Sequence, residues 1–383
     1  MRPLCAFLVL CAVCFAAAVA PEASPGWASP CRDAVTWPYA ANSVWNTPLG
    51  SGAVFSPANL FTGAPGSGKE APFDMMSDDD YMITTSLSDP LVPWHNQGHW
   101  GGPDTYAAYC TVTGPLVANL HIPAALNIST FGNNNAAAIL QPDGRTLFFM
   151  QPLYVCGPGA PVLALELSRD SNTSDIRGLG TLGGHGGSNL NAIGGTIRKG
   201  ELLPGAPPMA HALKFEFFAN LYYFRPPDGN RSRCFHWPAT ACDGYMSDCA
   251  SQPRLCYNGT DALLTPGALL AVPAAAASAL NASLRTAPAR ALLHALKNYG
   301  AYLVDDTAWN STSICTEHGV ADEFQAAYGF PYRVTANTAG AGAEWYADQL
   351  ALFRALSIVT NNAPETPGGG GTPLQPPPPP FCA

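Results

Sequence analysis

Strand signals, apolar runs and stretches in which apolar and polar residues alternate, dominate the first two thirds of the chain. His211-Ala-Leu-Lys-Phe-Glu-Phe217 alternates most cleanly. A strand there puts His211, Leu213, Phe215 and Phe217 on one face, with Lys214 and Glu216 on the other. Two apolar runs within 138–150 flank Pro142-Asp143-Gly144 and predict a β-hairpin, since these residues favour a tight turn. Residues 161–167 alternate in part and read as a strand, and Tyr222-Tyr-Phe224 extends or follows the 211–217 strand. The last third changes period. Leu292, Leu293 and Leu296 recur at helical spacing over 289–297, with Pro288 near the start and Gly300 just beyond the end. Residues 301–305 read as a strand. Residues 321–328 and 344–357 read as helices, the second with Leu350, Phe353 and Leu356 inward. Many strands followed by a few helices predict a mainly-β protein, with a β-sandwich or jelly-roll-like core and a few C-terminal helices. An α+β arrangement is the alternative. No short repeat supports a parallel β-helix.

The ends read differently. Met1-Arg2, the apolar run Leu4 to Phe15 and the exit Ala18-Val19-Ala20 have a secretory signal's layout, so 1–20 is expected to be a signal peptide. That run is shorter than the roughly 20 residues needed to span a bilayer. Residues 21–30 then form a flexible leader, 31–360 a single globular domain, and 361–383 a Gly/Pro-rich tail expected to be disordered. The expected location is secreted, extracellular or in a cell wall.

Cysteine use fits that compartment. Three of the 12 cysteines leave with the signal, and the other nine are expected to form up to four disulfides. Cys382 is the candidate for the odd cysteine and for an intermolecular disulfide. Cys234, Cys242, Cys249 and Cys256 are separated by gaps of six or seven residues, too long for the usual close zinc pairs. Six Asn-x-Ser/Thr sequons begin at Asn127, Asn172, Asn230, Asn258, Asn281 and Asn310. Charged residues make up only 12% and the net charge is −9 with no basic run, which argues against nucleic acid and anionic membrane as partners.

The segment 180–205 is unusually rich in glycine and carries His185, Arg198 and Glu201. It reads either as tight turns joining strands or as a ligand-facing loop. Gly195-Thr-Ile-Arg-Lys-Gly-Glu-Leu202, Ala210-His-Ala-Leu213 and Ala295-Leu-Lys-Asn-Tyr-Gly-Ala-Tyr-Leu-Val-Asp305 resemble the hallmark segments of a family of secreted, uncharacterised bacterial proteins. Asn42-Ser-Val-Trp-Asn-Thr-Pro48 and Pro142-Asp-Gly144 are similar to that family's early segments. The resemblance covers most of the mature domain and implies a shared architecture; the family brings no settled activity. The cysteine cluster and the proline tail stand outside it.

Four ionisable residues in those segments are candidates for catalysis: Arg198, Glu201, His211 and Asp305. Arg198 and Glu201 are three apart, so a regular strand separates them and only a turn, which Gly200 permits, brings them together. His211 reads as a core histidine or a site residue, and Asp305 as an acid–base group or a turn residue beside Asp306. Trp94 and Trp100 beside His95, His99 and Asp104 suit a sugar-binding cleft or, alternatively, a buried tryptophan pair. Gly98, Gly101 and Pro103 argue against a helical metal pair at His95 and His99, and Asp78-Asp-Asp80 reads as a solvated acidic turn. No metal or other cofactor is called for.

The function these residues suggest is that of a secreted glycan-active enzyme, a glycoside hydrolase with Glu201 and Asp305 as its paired carboxylates. Arg198 would orient the substrate and His211 would hydrogen-bond within the site. Trp94, His95, His99, Trp100, Asp104, His185 and Tyr299 would contact a polysaccharide. A lyase would instead use a histidine or Tyr299 as base. Outside catalysis, the alternatives are a cell-wall or extracellular-matrix glycoprotein and a lectin-like carbohydrate-binding module.

Overall fold

The computed structural model describes residues 30–63, 70–98, 109–128, 134–165, 175–307 and 309–383. The predicted signal and most of the leader lie outside them. The first strands are β1 (Phe55–Pro57), β2 (Asp74–Thr84), β3 (Leu91–Asn96), β4 (Leu116–His121), β5 (Ala137–Leu140), β6 (Leu147–Met150), β7 (Tyr154–Val155) and β8 (Val162–Ala164). Then come β9 (Leu213–Phe217), β10 (Leu269–Ala271), β11 (Ala301–Asp306), β12 (Ser311–Glu317), β13 (Val334–Thr335) and β14 (Ser357–Val359). The helices are α1 (Ala219–Tyr222), α2 (Ala274–Ser283), α3 (Ala287–Asn298), α4 (Val320–Tyr328) and α5 (Ala341–Arg354).

The larger sheet runs β1-β14-β10-β11-β9-β12-β2-β5-β6, with β13 also paired to β2; the smaller runs β4-β3-β8-β7. The fold is mixed α/β with two sheets, which fits the α+β alternative and does not clearly make the expected β-sandwich. The reason lies in what covers the central strands. Leu213, Phe215 and Phe217 of β9 join one core with Leu292 and Leu296 of α3, Phe324 of α4, and Trp345 and Phe353 of α5. The opposite face packs against irregular chain carrying Tyr39, Trp45, Leu190 and Ile193. The small sheet buries Val92, Trp94, Leu120 and Val162 against Ile83, Ile139 and Met150, beside the far end of the large one.

Several local expectations hold. Ala137–Leu140 pairs antiparallel with Leu147–Met150 across the predicted hairpin, and Asp143 caps its turn by accepting from the Arg145 and Thr146 amides. Helix α3 starts with Pro288 in its first turn and ends at Asn298 with Tyr299 as C-cap, and Gly300 after it has the φ of 79° that suits this position. That stop lets the chain enter β11 at once. Among the described residues no helix is long and apolar enough to cross a membrane.

The segment after Thr360 is not detached. Gly368 to Gly371 all have positive φ and thread against 48–53, where the Gly50, Ser51 and Gly52 amides donate to Gly368, Thr372 and Gly370 carbonyls. A Cβ on Gly50 would sit 1.9 Å from the Gly370 carbonyl oxygen, so the two backbones need glycine to approach this closely. Further on, the Arg32 carbonyl accepts from the Cys382 amide, and the Arg32 guanidinium lies 3.8 Å from the Phe381 ring centroid. Backbone pairing and a cation–π contact replace the apolar burial that the composition lacks. Cys382 is bonded to Cys31, not free for another chain, and Cys110–Cys156, Cys234–Cys242 and Cys249–Cys256 complete four disulfides. The odd cysteine is Cys315, buried on β12. Four disulfides suit an oxidising compartment.

Candidate functional site

Strand register builds the site. Asp78 of β2 pairs with Cys315 of β12, and Ser313 of β12 with Glu216 of β9. Period two then places Asp78, Asp80, Lys214, Glu216, Ser313 and Cys315 on one face, opposite the aromatic face that meets the helices. A regular β11 would turn Asp305 toward those helices, because Leu303 pairs with Phe215. A bulge at Val304 shifts the register, so Asp305 pairs with Glu216 and joins the polar face. The glycine-rich loop closes over this face and brings His185 into it.

Nearly everything here is buried: Asp80 and Lys214 are 0% exposed, Asp78 and His185 1%. Lys214 Nζ donates to Asp80 Oδ2 at 2.7 Å, and the Thr196 hydroxyl donates to the same oxygen at 2.6 Å. Burial would raise Asp80, but Lys214 and then His185 outweigh it and hold this carboxyl below its ordinary value. Burial and the Lys214 charge push His185 down, yet Asp305 and Asp80 outweigh both and lift it to about 9. Glu216 is driven well above the usual carboxylate range by burial and by Asp78 and Asp305. Burial also raises Asp78, and burial with Glu216 raises the Cys315 thiol.

A cleft of about 690 Å³ opens over this ground, lined by Glu216, Asp243, Tyr245, Asp305, Asp306 and Trp309 among others. Oxygens of Asp243, Asp305 and Asp306 lie within 4.8 Å of one another. Three N–H donors converge on Asp305: the Gly187 amide at 3.2 Å, the Asp306 amide at 2.9 Å and Asn134 Nδ2 at 3.0 Å. Burial, then the Asp305 charge, raises Asp243, and burial with Asp243 and Asp305 raises Asp306 well above its ordinary value. A Cβ on Gly186 would meet Asp305 at 1.7 Å and one on Gly187 would meet Asp243 at 2.4 Å, so these glycines admit both carboxyls to the main chain. Trp309 stands 48% exposed at the cleft.

The sequence-derived candidates divide between places. Arg198, Glu201 and His211 do meet: Glu201 Oε2 accepts from the Arg198 amide at 2.6 Å and lies 3.1 Å from His211 Nε2. The turn that this needs is made at Gly200, with φ 90°. Arg198 Nε donates to Glu317 Oε2 at 2.9 Å, and the crevice lined by Arg198 and His211 holds only about 10 Å³. Asp305 belongs to the cleft instead, with His185, so the pair Glu201–Asp305 is not assembled. Trp94 is fully buried, its indole N–H donating to the Ala164 carbonyl, and His95 Nδ1 lies 2.9 Å from the Gly114 carbonyl. Neither lines the cleft. Tyr299 is a core residue at 2% exposure. His99, Trp100 and Asp104 lie outside the described residues.

Asp78, Asp80, Lys214, Glu216, Asp243 and Cys315 were not among the candidates. Asp78 and Asp80 occupy a buried strand, not a solvated turn. Charged residues alternating with phenylalanines in 213–217 were the available signal: a second buried face needs partners for them. Comparison of the chain with known protein families, curated proteins and solved structures finds no match.

Proposed function

We propose that the protein is a glycan hydrolase whose chemistry takes place in the 690 Å³ cleft. The observation that carries this reading is the convergence of Asp243, Asp305 and Asp306 beneath an exposed tryptophan. Aromatic faces stack on sugar rings while carboxyl and amide groups meet hydroxyls. Glycosidic cleavage needs one carboxyl that gives a proton and another that acts as a base or nucleophile.

Asp243, whose carboxyl burial and the Asp305 charge raise above its ordinary value, is the group to protonate the leaving oxygen. Asp305, held by three N–H donors, is the nucleophile. The approach of their oxygens within 4.8 Å favours the retaining arrangement, with its spacing of about 5–5.5 Å, over the wider inverting one. In that course Asp305 takes the anomeric carbon as the glycosidic C–O bond breaks and Asp243 supplies the proton. Water then releases the sugar with Asp243 acting as base. Tyr245, donating to Asp306 Oδ1 at 2.8 Å, braces the third carboxyl. A lyase is less well supported, since Arg198, the side chain expected to neutralise a uronate in that reading, is tied to Glu317 and does not line the cleft.

The test is release of new reducing ends from a panel of neutral and acidic polysaccharides. Wild type should cleave at least one; Asp243→Asn should lose about 10²-fold or more in kcat with its fold intact, as removal of a general acid does. Binding without product would favour a lectin-like module, and neither binding nor product would refute a glycan role.

A further inference from the structure

Beneath the cleft, the donors around His185 stand at an unusual spacing. His185 Nε2 lies 3.6 Å from Asp78 Oδ2, 3.6 Å from Glu216 Oε1 and 3.7 Å from Cys315 Sγ. Cys315 Sγ in turn lies 3.5 Å from Glu216 Oε1. The nitrogen–oxygen separations are too long for hydrogen bonds, which hold N and O at about 2.7–3.2 Å. They match something else. Ligand bonds of about 2.0–2.3 Å in a tetrahedron place neighbouring donors about 3.3–3.8 Å apart.

We propose that Asp78, His185, Glu216 and Cys315 form a four-donor site for a divalent transition-metal ion of the zinc class. The donor set supports that class: imidazole and thiolate with two carboxylates suit zinc, whereas calcium and magnesium take oxygen donors.

A second observation points inward. Asp80 Oδ1, on a side chain with no exposure, makes no hydrogen bond among the described residues and stands 3.5 Å from His185 Nε2. Its other oxygen is held by Lys214 and Thr196, so this carboxylate is fixed with one negative oxygen aimed at the group. On the far side of the ring, His185 Nδ1 is buried, makes no hydrogen bond among the described residues and stands 3.6 Å from Asp305 Oδ2. Asp78 is steadied from outside by the Asn134 amide at 3.1 Å. Asp78, Asp80, Glu216 and Asp305 surround one histidine and one lysine here, an excess of acid that a divalent cation offsets. His185 and Glu216 line the cleft, which supplies an entry path.

Binding forms one metal–nitrogen, one metal–sulfur and two metal–oxygen bonds. The protons it displaces from the thiol, the imidazole and the carboxyls pass to solvent.

The experiment uses the full chain, stripped with chelator and then dialysed against zinc or cobalt(II), with no glycan present. Wild type should bind one equivalent, release protons, and with cobalt show the near-ultraviolet charge-transfer band of a thiolate ligand. Cys315→Ser should remove the band and weaken binding at least tenfold, and His185→Gln should abolish stoichiometric binding. The cobalt spectrum needs no variant, so it decides the matter even if a substitution prevents folding. Failure to bind, or binding without the thiolate band, overturns the proposal. So does binding that Asp243→Asn abolishes but Cys315→Ser leaves intact, which would put the ion among the three aspartates. None of these outcomes depends on whether the cleft cleaves glycans.

Discussion

Replacing both Cys31 and Cys382 by serine tests whether the C-terminal segment is part of the folded domain. The bond joins positions 351 residues apart, by far the longest of the four loops. The chain-entropy relation gives a loop of that length about 6 kcal/mol, and measured disulfides reach about 5 kcal/mol. A domain of this size unfolds with an entropy near 0.7 kcal/mol/K, so a loss of 4–5 kcal/mol lowers the midpoint by about 5–8 °C. Differential scanning calorimetry of the double variant, without reductant so that the other disulfides persist, measures this. Deleting 361–383 should cost more than the double variant, because it also removes the Gly368–Gly371 pairing and the Arg32–Phe381 contact. A double variant within 1 °C of wild type would refute the reasoning, as would a deletion that leaves the midpoint unmoved.

Other outcomes follow from single contacts. Gly50→Ala drives a methyl into the Gly370 carbonyl and should cost about 1–3 kcal/mol in denaturant titrations, like other overpacked sites. Lys214→Met leaves Asp80 buried without its cation and should cost about 3–5 kcal/mol, with Asp80→Asn in the same chain recovering part of it; purely additive effects would argue against the pair. Burial pushes His211 down, but Glu201 outweighs it and raises the imidazole above its ordinary value. The stabilisation from Glu201 should therefore be full below the unfolded pKa of about 6.5 and fade as pH rises through the folded value. The stability gap between wild type and Glu201→Gln, followed from pH 5.5 upward, should shrink toward alkaline pH, and a constant gap would contradict it.

Local order was legible where neighbours in sequence are neighbours in space. The hairpin at Pro142-Asp143-Gly144, the α3 boundaries and the alternation of Leu213, Phe215 and Phe217 needed only propensity and period. The site was not legible, because β2, β9 and the consecutive strands β11 and β12, three stretches far apart in the chain, assemble it by pairing. The bulge at Val304 decides which face Asp305 occupies, and no residue around it announces the extra step. Asp78-Asp-Asp80 looked solvated because three acids in a row are costly to bury. Lys214, arriving from another strand, with help from Thr196 and His185, makes burial of Asp80 tolerable. The tail misled for a related reason: glycine and proline promise little packing, yet here the glycines serve backbone pairing.

The bond between Cys31 and Cys382, with Cα atoms 4.9 Å apart, makes the folded chain covalently circular from one end of the domain to the other. A ring has a different response to cutting from a line. A single protease cut at the loop carrying Leu87, which is 82% exposed, opens the ring but separates nothing, since both new ends remain joined through the sulfur bridge. Separation takes two cuts or one cut and a reductant. In a medium rich in proteases the molecule can therefore be nicked and still hold its central strands in one covalent body.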